Sequence, residues 1–403
     1  MNKTVMKPPA SDEDLLGLIT RHSRSLAAQL QSHHESVFPP IAEKTIRYFQ
    51  PAEASKLVGV KEVHLRNIAN DLSDELDVNT GPAGRRTYSV LDMHKIRNHL
   101  DKTGRGSRRY LPHRRDGEQL QVISVMNFKG GSGKTTSAAH LSQHLALRGY
   151  RVLAIDLDPQ ASLSSLFGVQ PETDVGADET LYGAIKYEGA RTMGEIITAT
   201  YIPDLHLIPG NLELMEFEHE TPRALMKRKV GDTMFFNRIS ETLAQVEHAY
   251  DVVVIDCPPQ LGYLTMAALT AATSVLVTVH PQMLDVMSMN QFLAMTSDLL
   301  GEIAEAGGRF DYSWMRYLIT RYEPGDGPQN QMVGYLRSIF GENVLNYPML
   351  KTTAVSDAGL TNQTLYEVER SQFTRSTYDR ALESMNNVND EIESLIKKAW
   401  GRT

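Results

Sequence analysis

Residues 128–136 read FKGGSGKTT, and their flanks restrict the fold more than any other stretch of the chain. A continuous apolar run, LQVISVMNF (120–128), leads into the loop, and TTSAAHLSQHLALRGY (135–150) leads out with helical character. Strand, glycine turn and helix in that order form the context a phosphate cradle requires. Gly130, Gly131 and Gly133 let backbone N–H groups turn toward an anion, and the helix N-terminus adds partial positive charge. In such a loop Ser132 and Thr136 belong to the cradle, Lys134 meets the β- and γ-phosphates, and the Thr135 hydroxyl meets Mg²⁺. Two features depart from the usual G-x-x-x-x-G-K-[ST] pattern. Phe128 stands where the first glycine belongs, and a second lysine, Lys129, sits directly before the glycines.

Further apolar runs follow at wide intervals: RVLAIDLDPQ (151–160), LHLIP (205–209), DVVVIDCPP (251–259), TSVLVTVHP (273–281) and MRYLITRY (315–322). Strands buried on both faces and alternating with helices predict an α/β, doubly wound, mostly parallel sheet over residues 120–403. Ligands bind such sheets at the carboxyl ends of the strands. Asp156, Asp158 and Asp256 each stand at the end of an apolar run. Asp256, after four apolar residues, has the form of a carboxylate that holds Mg²⁺, often through water. The single cysteine, Cys257, excludes an intrachain disulfide and a cysteine-ligated cluster within one subunit, and it reads as a small core residue. The segment TYDRALESMNNVNDEIESLIKKAW (377–400) places Tyr378, Leu382, Met385, Ile392, Leu395 and Trp400 near one face of a docking helix.

The residues before 120 have a different texture. A stripe of Leu15, Ile19, Leu26 and Leu30, started by Ser11, predicts a helix within residues 1–40, which either packs on its own domain or is a dimerisation element. PAEASKLVGVKEVHLRNIAND (51–71) reads as two helices about a turn at Gly59, with Ala54, Leu57, Val63 and Ile68 inward. GRRTYSVLDMHKIRNHL (84–100) follows as a basic hairpin and another helix. Net charge is −8 overall, yet residues 84–115 carry ten Lys/Arg against two Asp. A basic island beside a helix pair is the electrostatic footprint of a DNA-binding module, placed at residues 41–104. Residues 105–119, rich in Gly, Arg and Pro, read as a basic linker. No run reaches eighteen apolar residues, and the first sixteen lack the apolar stretch of a secretion signal, so a cytoplasmic protein is expected.

Together, KGGSGKTT, IDLDPQAS and VVIDCPP resemble the ParA/MinD group of deviant-Walker P-loop ATPases. The similarity runs through most of residues 120–370. With a helix-turn-helix ahead of the ATPase, the chain is similar to the large plasmid-partition ATPases, and in particular to those of repABC replicons. The resemblance implies ATP/ADP and Mg²⁺ as cofactors, with slow ATP hydrolysis by a switch that dimerises. Lys129 would then be the signature lysine, reaching across the dimer to the partner subunit's phosphates. Lys134 and Thr135 would keep their loop roles, Asp158 would orient the attacking water, and Asp156 and Asp256 would support Mg²⁺. Thr320 and Arg321 would line the adenine, with Pro348 opposite. The N-terminal module would be a winged helix-turn-helix binding operator DNA, with His64, Arg66 and Asn67 on the recognition helix and Arg85 and Arg86 on the wing. The partners implied are a second copy, a centromere-binding ParB/RepB-like protein, and operator and non-specific nucleoid DNA. The resulting expectation is a plasmid-partition ATPase that represses its own operon. The alternative is a protein that is chiefly a nucleotide-sensing repressor. MinD-like membrane recruitment is not expected, because NDEIESLIKKAWGRT (389–403) sets three acids against Lys397, Lys398 and Arg402.

Overall fold

The computed structural model describes residues 15–37, 44–77, 79–80, 86–104 and 109–402. They fall into two units divided between Lys44 and Thr45. The first contains helix α1 (Leu15–Val37), on which Leu15, Leu16, Ile19 and Leu26 are exposed. The expected start at Ser11 lies outside the described residues.

The second unit begins with α2 (Pro51–Val58) and α3 (Glu62–Asp71). Gly59 closes α2 at φ +83°, a left-handed conformation that a side chain disfavours, and this sets the sharp turn between the helices. Strands β1 (Asn79–Thr80) and β2 (Arg86–Thr87) pair as an antiparallel ribbon, and α4 (Val90–Thr103) follows. A capping box starts α4: the Ser89 hydroxyl accepts from the Asp92 N–H at 3.0 Å, and the Asp92 carboxylate accepts from the Ser89 N–H at 2.9 Å. The inward face of α3 is Leu65, Ile68 and Ala69, at i, i+3 and i+4. Val63, expected inward, is instead exposed, because a residue two positions before Leu65 falls on the opposite side of the helix.

The body is a seven-stranded sheet. Its strands in chain order are β3 (Gln121–Met126), β4 (Val152–Asp156), β5 (Thr198–Ala199), β6 (Leu205–Ile208), β7 (Val252–Asp256), β8 (Ser274–Val279) and β9 (Trp314–Ile319). Their spatial order is β5-β6-β4-β7-β3-β8-β9, parallel throughout except for β5 at one edge. Helices α5 (Lys134–Leu147), α6 (Ser162–Leu166), α7 (Leu181–Ile185), α8 (Met215–Lys227), α9 (Arg238–Ala244) and α10 (Tyr263–Ala271) connect the strands. Then come α11 (Met283–Glu305), α12 (Gly327–Phe340), α13 (Thr353–Leu360) and α14 (Arg375–Ala399). The predicted parallel sheet is therefore present, and each predicted run supplies a strand. From β3 the chain steps toward β4, whereas from β7 it steps toward β8. The reversal puts the crevice of the sheet at the carboxyl ends of β3 and β7.

Helix α5 is buried from Ser137 to Leu147, between the sheet and α14. On α14, Tyr378, Met385, Ile392 and Trp400 are buried, while Leu382 and Leu395 are partly so, as the sequence pattern predicted. The apolar cluster on this side of the sheet continues into the N-terminal helices. Phe49, Leu65, Tyr88, Met93 and Ile96 pack in the same cluster as Leu141, Leu145, Tyr150 and Ile392. Residues 109–119 carry no helix or strand, yet they are tied down. His113 and the Arg114 N–H both bind Asp251, at 2.9 and 2.8 Å, and Arg402 donates to the Pro112 carbonyl at 2.9 Å. No described helix is long and apolar enough to cross a membrane.

Candidate active site

The glycine loop leaves β3 through Asn127, which is buried at the strand end. Its Oδ1 accepts from the Lys129 N–H at 2.9 Å and its amide donates to the Thr278 carbonyl. Two further clasps hold the loop from the ends of β8 and β9. The Thr278 hydroxyl donates to Ser132 Oγ at 3.0 Å, and the Thr320 hydroxyl donates to the Ser132 carbonyl at 2.7 Å. Arg321 donates to the Gly131 carbonyl at 3.1 Å. Gly131 and Gly133 both have positive φ, +74° and +87°, and a Cβ on Gly133 would stand 3.4 Å from the Thr320 side chain. With the loop carbonyls tied on that side, the N–H groups of Gly131, Ser132, Gly133 and Lys134 have no acceptor among the described residues. Donors left turned out at a helix start form an anion cradle. Phe128, at the position of the missing glycine, stacks on Phe292 of α11 with ring centroids 6.3 Å apart. It anchors the loop without entering the cradle.

Lys134 is buried, and its ammonium reaches back to the Lys129 carbonyl at 3.5 Å. Burial lowers its pKa, against the opposing pull of the Asp256 and Asp158 charges. Asp156 and Asp256 are register partners on the adjacent strands β4 and β7, and both are fully buried. Their surroundings differ. Asp156 accepts from the Ser164 N–H at 2.8 Å, the Ser164 hydroxyl at 2.7 Å and the Asp158 N–H at 3.2 Å. Burial raises its pKa to about 6 despite those donors. Asp256 has no hydrogen-bond partner of good geometry on either oxygen among the described residues, and the Thr135 hydroxyl is the donor at hand. Burial first and the Asp156 charge second push its carboxyl well above the usual range, with the nearby Thr135 hydroxyl and Lys134 ammonium pulling the other way.

A buried carboxylate without donors is costly unless it is protonated, paired or bound to a metal. The Asp256 position therefore fits a hard divalent cation, with the Thr135 hydroxyl at hand as a second oxygen ligand. Asp158, half-buried past the strand end, uses one oxygen to accept from the Gln160 N–H at 2.9 Å. Gly210 packs against the Asp156 and Asp158 carbonyls, where a Cβ would come within 3.0 Å, so the neighbouring chain can approach the acid-bearing loop closely. Burial raises the Cys257 thiol to about 12, which rules out a thiolate near neutral pH and bears out its reading as a core residue.

Lys129 does not point at Lys134's side of the loop. Its ammonium donates to Asp285, in the first turn of α11, at 2.8 Å; the lysine is 42% exposed and the aspartate 7%. His280 approaches the same carboxylate at 3.9 Å. Thr320 and Arg321 lie just past β9, where the Tyr322 N–H donates to the Met349 carbonyl at 3.0 Å. That pairing brings Pro348 to the same end of the sheet. Thr320 is fully buried against the loop, whereas Arg321 is exposed. At the N-terminal module His64, Arg66 and Asn67 are exposed along α3, and Arg86 on the ribbon donates to Asn70 at 2.5 Å. Arg85 lies outside the described residues. Asn127, Ser164, Thr278 and Asp285 were not singled out from the sequence. Asn127, a polar residue ending an apolar strand just before the loop, carried a readable signal. The other three act only through contacts with distant segments.

A glycine cradle after a central strand, with a buried lysine and carboxylates on neighbouring strand ends, defines a P-loop NTPase fold. A family model described as an AAA domain matches residues 120–305. The chain is 72% identical to a putative replication protein A of Rhizobium rhizogenes over 403 residues, all of both chains. It is 30% identical to protein SopA of Escherichia coli (strain K12) over 377 residues, 90% of this chain and 92% of that one. A solved structure described as a partition protein superposes with a TM-score of 0.60 at 16% identity, covering 94% of this chain and 98% of its own. The chain belongs to the ParA-like family, alongside the replication protein A and SopA sequences.

Proposed function

We propose that the chain is a partition ATPase, in which ATP and Mg²⁺ bind at the glycine loop and drive formation of a dimer. One observation carries this reading: two lysines flank a clasped anion cradle beside Asp256, whose buried oxygens make no well-formed hydrogen bond among the described residues. Lys134 and the loop N–H groups hold the phosphates. Thr135 and Asp256 hold Mg²⁺, with Asp156 behind them, and the metal when bound neutralises charge on the phosphates. Asp158 orients the attacking water. Lys129 leaves Asp285 and reaches the phosphates of the second copy. Thr320, Arg321 and Pro348 border the base. Because catalysis of this kind is positioning and charge neutralisation, hydrolysis by the isolated chain is slow and a centromere-binding ParB/RepB-like partner accelerates it.

In the N-terminal module α3 reads operator DNA through His64, Arg66 and Asn67, and the ribbon with Arg85 and Arg86 contacts the backbone, so that the protein represses its own operon. The exposed apolar face of α1 adds a dimer contact. Non-specific DNA binding by the dimer places it on the nucleoid. The apolar core shared between α2–α4 and α5 favours a second reading, a repressor that senses nucleotide. Lys134→Ala separates the two: loss of segregation with repression kept supports partition. For the site itself the test is Lys129→Ala, followed by nucleotide binding and light scattering. ATP should still bind, and ATP-dependent dimers should be lost. Wild-type dimerisation by that variant would end this assignment of Lys129.

A further inference from the structure

Helix α5 starts at the glycine loop and, at 14 residues, ends about 21 Å away. At that far end a cleft of about 580 Å³ opens between the end of α2, α4, residues 109–118 and the end of α14. Among the described residues six cations line it, Arg97, Arg109, Arg115, Arg148, Lys397 and Arg402, with two acids, Glu118 and Glu393. Those acids are already used. Glu118 pairs with Arg402, and Glu393 takes Arg148 at 3.2 Å and Lys397 at 2.8 Å. Arg148 and Lys397 also have an ordinary explanation, since cations complement the carbonyl ends of α5 and α14. Neither account covers Arg97, Arg109 or Arg115, whose guanidinium groups form no ion pair among the described residues, although the Arg115 N–H donates to Glu118 at 2.6 Å.

Arg97 is the most telling of the three. It is 5% exposed, and its terminal nitrogens donate to neutral carbonyls, those of Leu57 and, at 3.2 Å, Tyr110. Its Nε has no partner among the described residues. Gly149, at φ +94°, makes room for it, since a Cβ there would stand 2.9 Å from Arg97 Cδ. Burial, and then the Arg148 charge, lowers its pKa to about 9, against the opposing pull of the Glu393 charge. A buried guanidinium with no directly paired carboxylate is expensive, and the planar fork of arginine matches phosphate oxygens in pairs. Arg109 and Arg115 stand exposed at the rim, with the Arg109 guanidinium 5.7 Å from the centre of the Tyr110 ring. The Trp400 ring is already covered by Tyr150 at 6.2 Å and Arg402 at 4.5 Å.

We propose that this cleft binds a small phosphate-bearing ligand at a site separate from the glycine loop. Its volume lies within the range of small-molecule sites. Because its walls come from both the N-terminal helices and the ATPase body, a ligand there would bridge the two.

The test uses the full chain carrying Lys134→Ala, so that the glycine loop has lost its main phosphate contact, in buffer without Mg²⁺. Inorganic pyrophosphate titrated calorimetrically should bind one equivalent. Adding Arg109→Ala and Arg115→Ala should weaken binding at least tenfold, since a hydrogen bond to a charged group is worth about tenfold or more. The same charge change at Arg375 and Arg380 should leave affinity within about twofold. Guanosine diphosphate in place of pyrophosphate distinguishes the ligand sources: equal affinity identifies phosphate alone as the recognised group, and tighter binding adds a base. Absence of pyrophosphate binding, or binding indifferent to the Arg109 and Arg115 changes, overturns the site. So does a loss of duplex DNA affinity in that double variant without any pyrophosphate binding, which would assign the cations to DNA phosphates.

Discussion

Asp256 is held in a state that costs the fold something. Its folded-state pKa lies above the ordinary carboxylate value, so protonation stabilises the metal-free protein. That contribution is complete below about pH 4 and is lost as pH rises through the elevated value. Asparagine has no proton to lose and keeps the shape. Metal- and nucleotide-free Asp256→Asn should therefore melt a few degrees above wild type at pH 8, with the gap closing toward pH 5. Differential scanning fluorimetry at both pH values measures it, and no gain at pH 8 would show that Asp256 is not held at a cost. The same variant should lose any Mg²⁺-dependent tightening of nucleotide binding. Lys129 and Asp285 make the second test at this scale. If the lysine serves a partner subunit, its pairing with Asp285 competes with that role. The lysine is 42% exposed, so the pair is worth about 1 kcal/mol at most. Asp285→Asn should then lower the protein concentration for half-maximal ATP-dependent dimerisation by up to about thirtyfold, since each dimer releases two such pairs, read by sedimentation velocity. An unchanged midpoint would mean the pairing restrains nothing. These two residues also mark how far the sequence could be read. Asp256 was legible because it ends an apolar run beside a recognisable loop. Asp285 was not, because it meets Lys129 across 156 residues and nothing local announces the contact.

At the scale of elements, the pairing of α5 with α14 rests on one buried charge cluster. Glu393 accepts from Tyr150 at 3.0 Å and faces Arg148, Lys397 and, at 3.9 Å, His144. His144 also meets Asp390 at 3.2 Å and Tyr366 at 3.2 Å. Burial alone would lower the histidine, but the hydrogen bonds and charges of Asp390 and Glu393 outweigh it and its pKa is raised. A histidine raised on folding contributes stability that is fully present below about pH 6.5 and lost as pH climbs through the raised value. Wild type should consequently lose stability above pH 6.5 more steeply than His144→Gln, by at most about 1.4 kcal/mol per pH unit. Urea midpoints at pH 6, 7 and 8 check this, and parallel slopes would remove His144 from the account. Glu393→Gln, which strands several buried donors, should cost about 3–5 kcal/mol at every pH. The periodicity of α14 was plain in the sequence because its apolar stripe repeats at helical spacing. The cluster was not, since Glu393 and His144 read as ordinary charged and polar positions until the two helices are laid together. The helix α3 misreading has the same origin: Val63 looked like core, and only the neighbours of Leu65 decide which stripe is buried.

Within residues 45–403, the largest scale described, helices α2–α4 and the ATPase body are not joined by a loose tether. His94 of α4 binds the Ala146 carbonyl at 3.0 Å and Asp204 at 3.0 Å, and Arg148 donates to the Lys56 carbonyl at 3.1 Å. Arg47 reaches Tyr378 of α14 at 3.4 Å, and the apolar cluster runs through both parts. Composition marked residues 105–119 as a linker, and composition cannot report that His113, Arg114 and Glu118 are bound to Asp251 and Arg402. If α2–α4 drew their stability from their own core alone, residues 45–403 would melt in two steps. Leu65, Met93 and Ile96 instead share their core with Leu141 and Tyr150, so separating the parts would expose apolar surface on both, at roughly 1.5–3 kcal/mol for each large side chain uncovered. Calorimetry should therefore show one cooperative transition for residues 45–403. A nucleotide that binds only the folded state should raise the whole transition, by RT ln(1 + [L]/Kd) in free energy. Arg97→Ala, or deletion of residues 45–119, should lower the transition of the ATPase body itself. Two separate transitions, with only one responding to nucleotide, would mean the N-terminal helices fold independently. In that case nucleotide at the glycine loop would have no route through a shared core to α3.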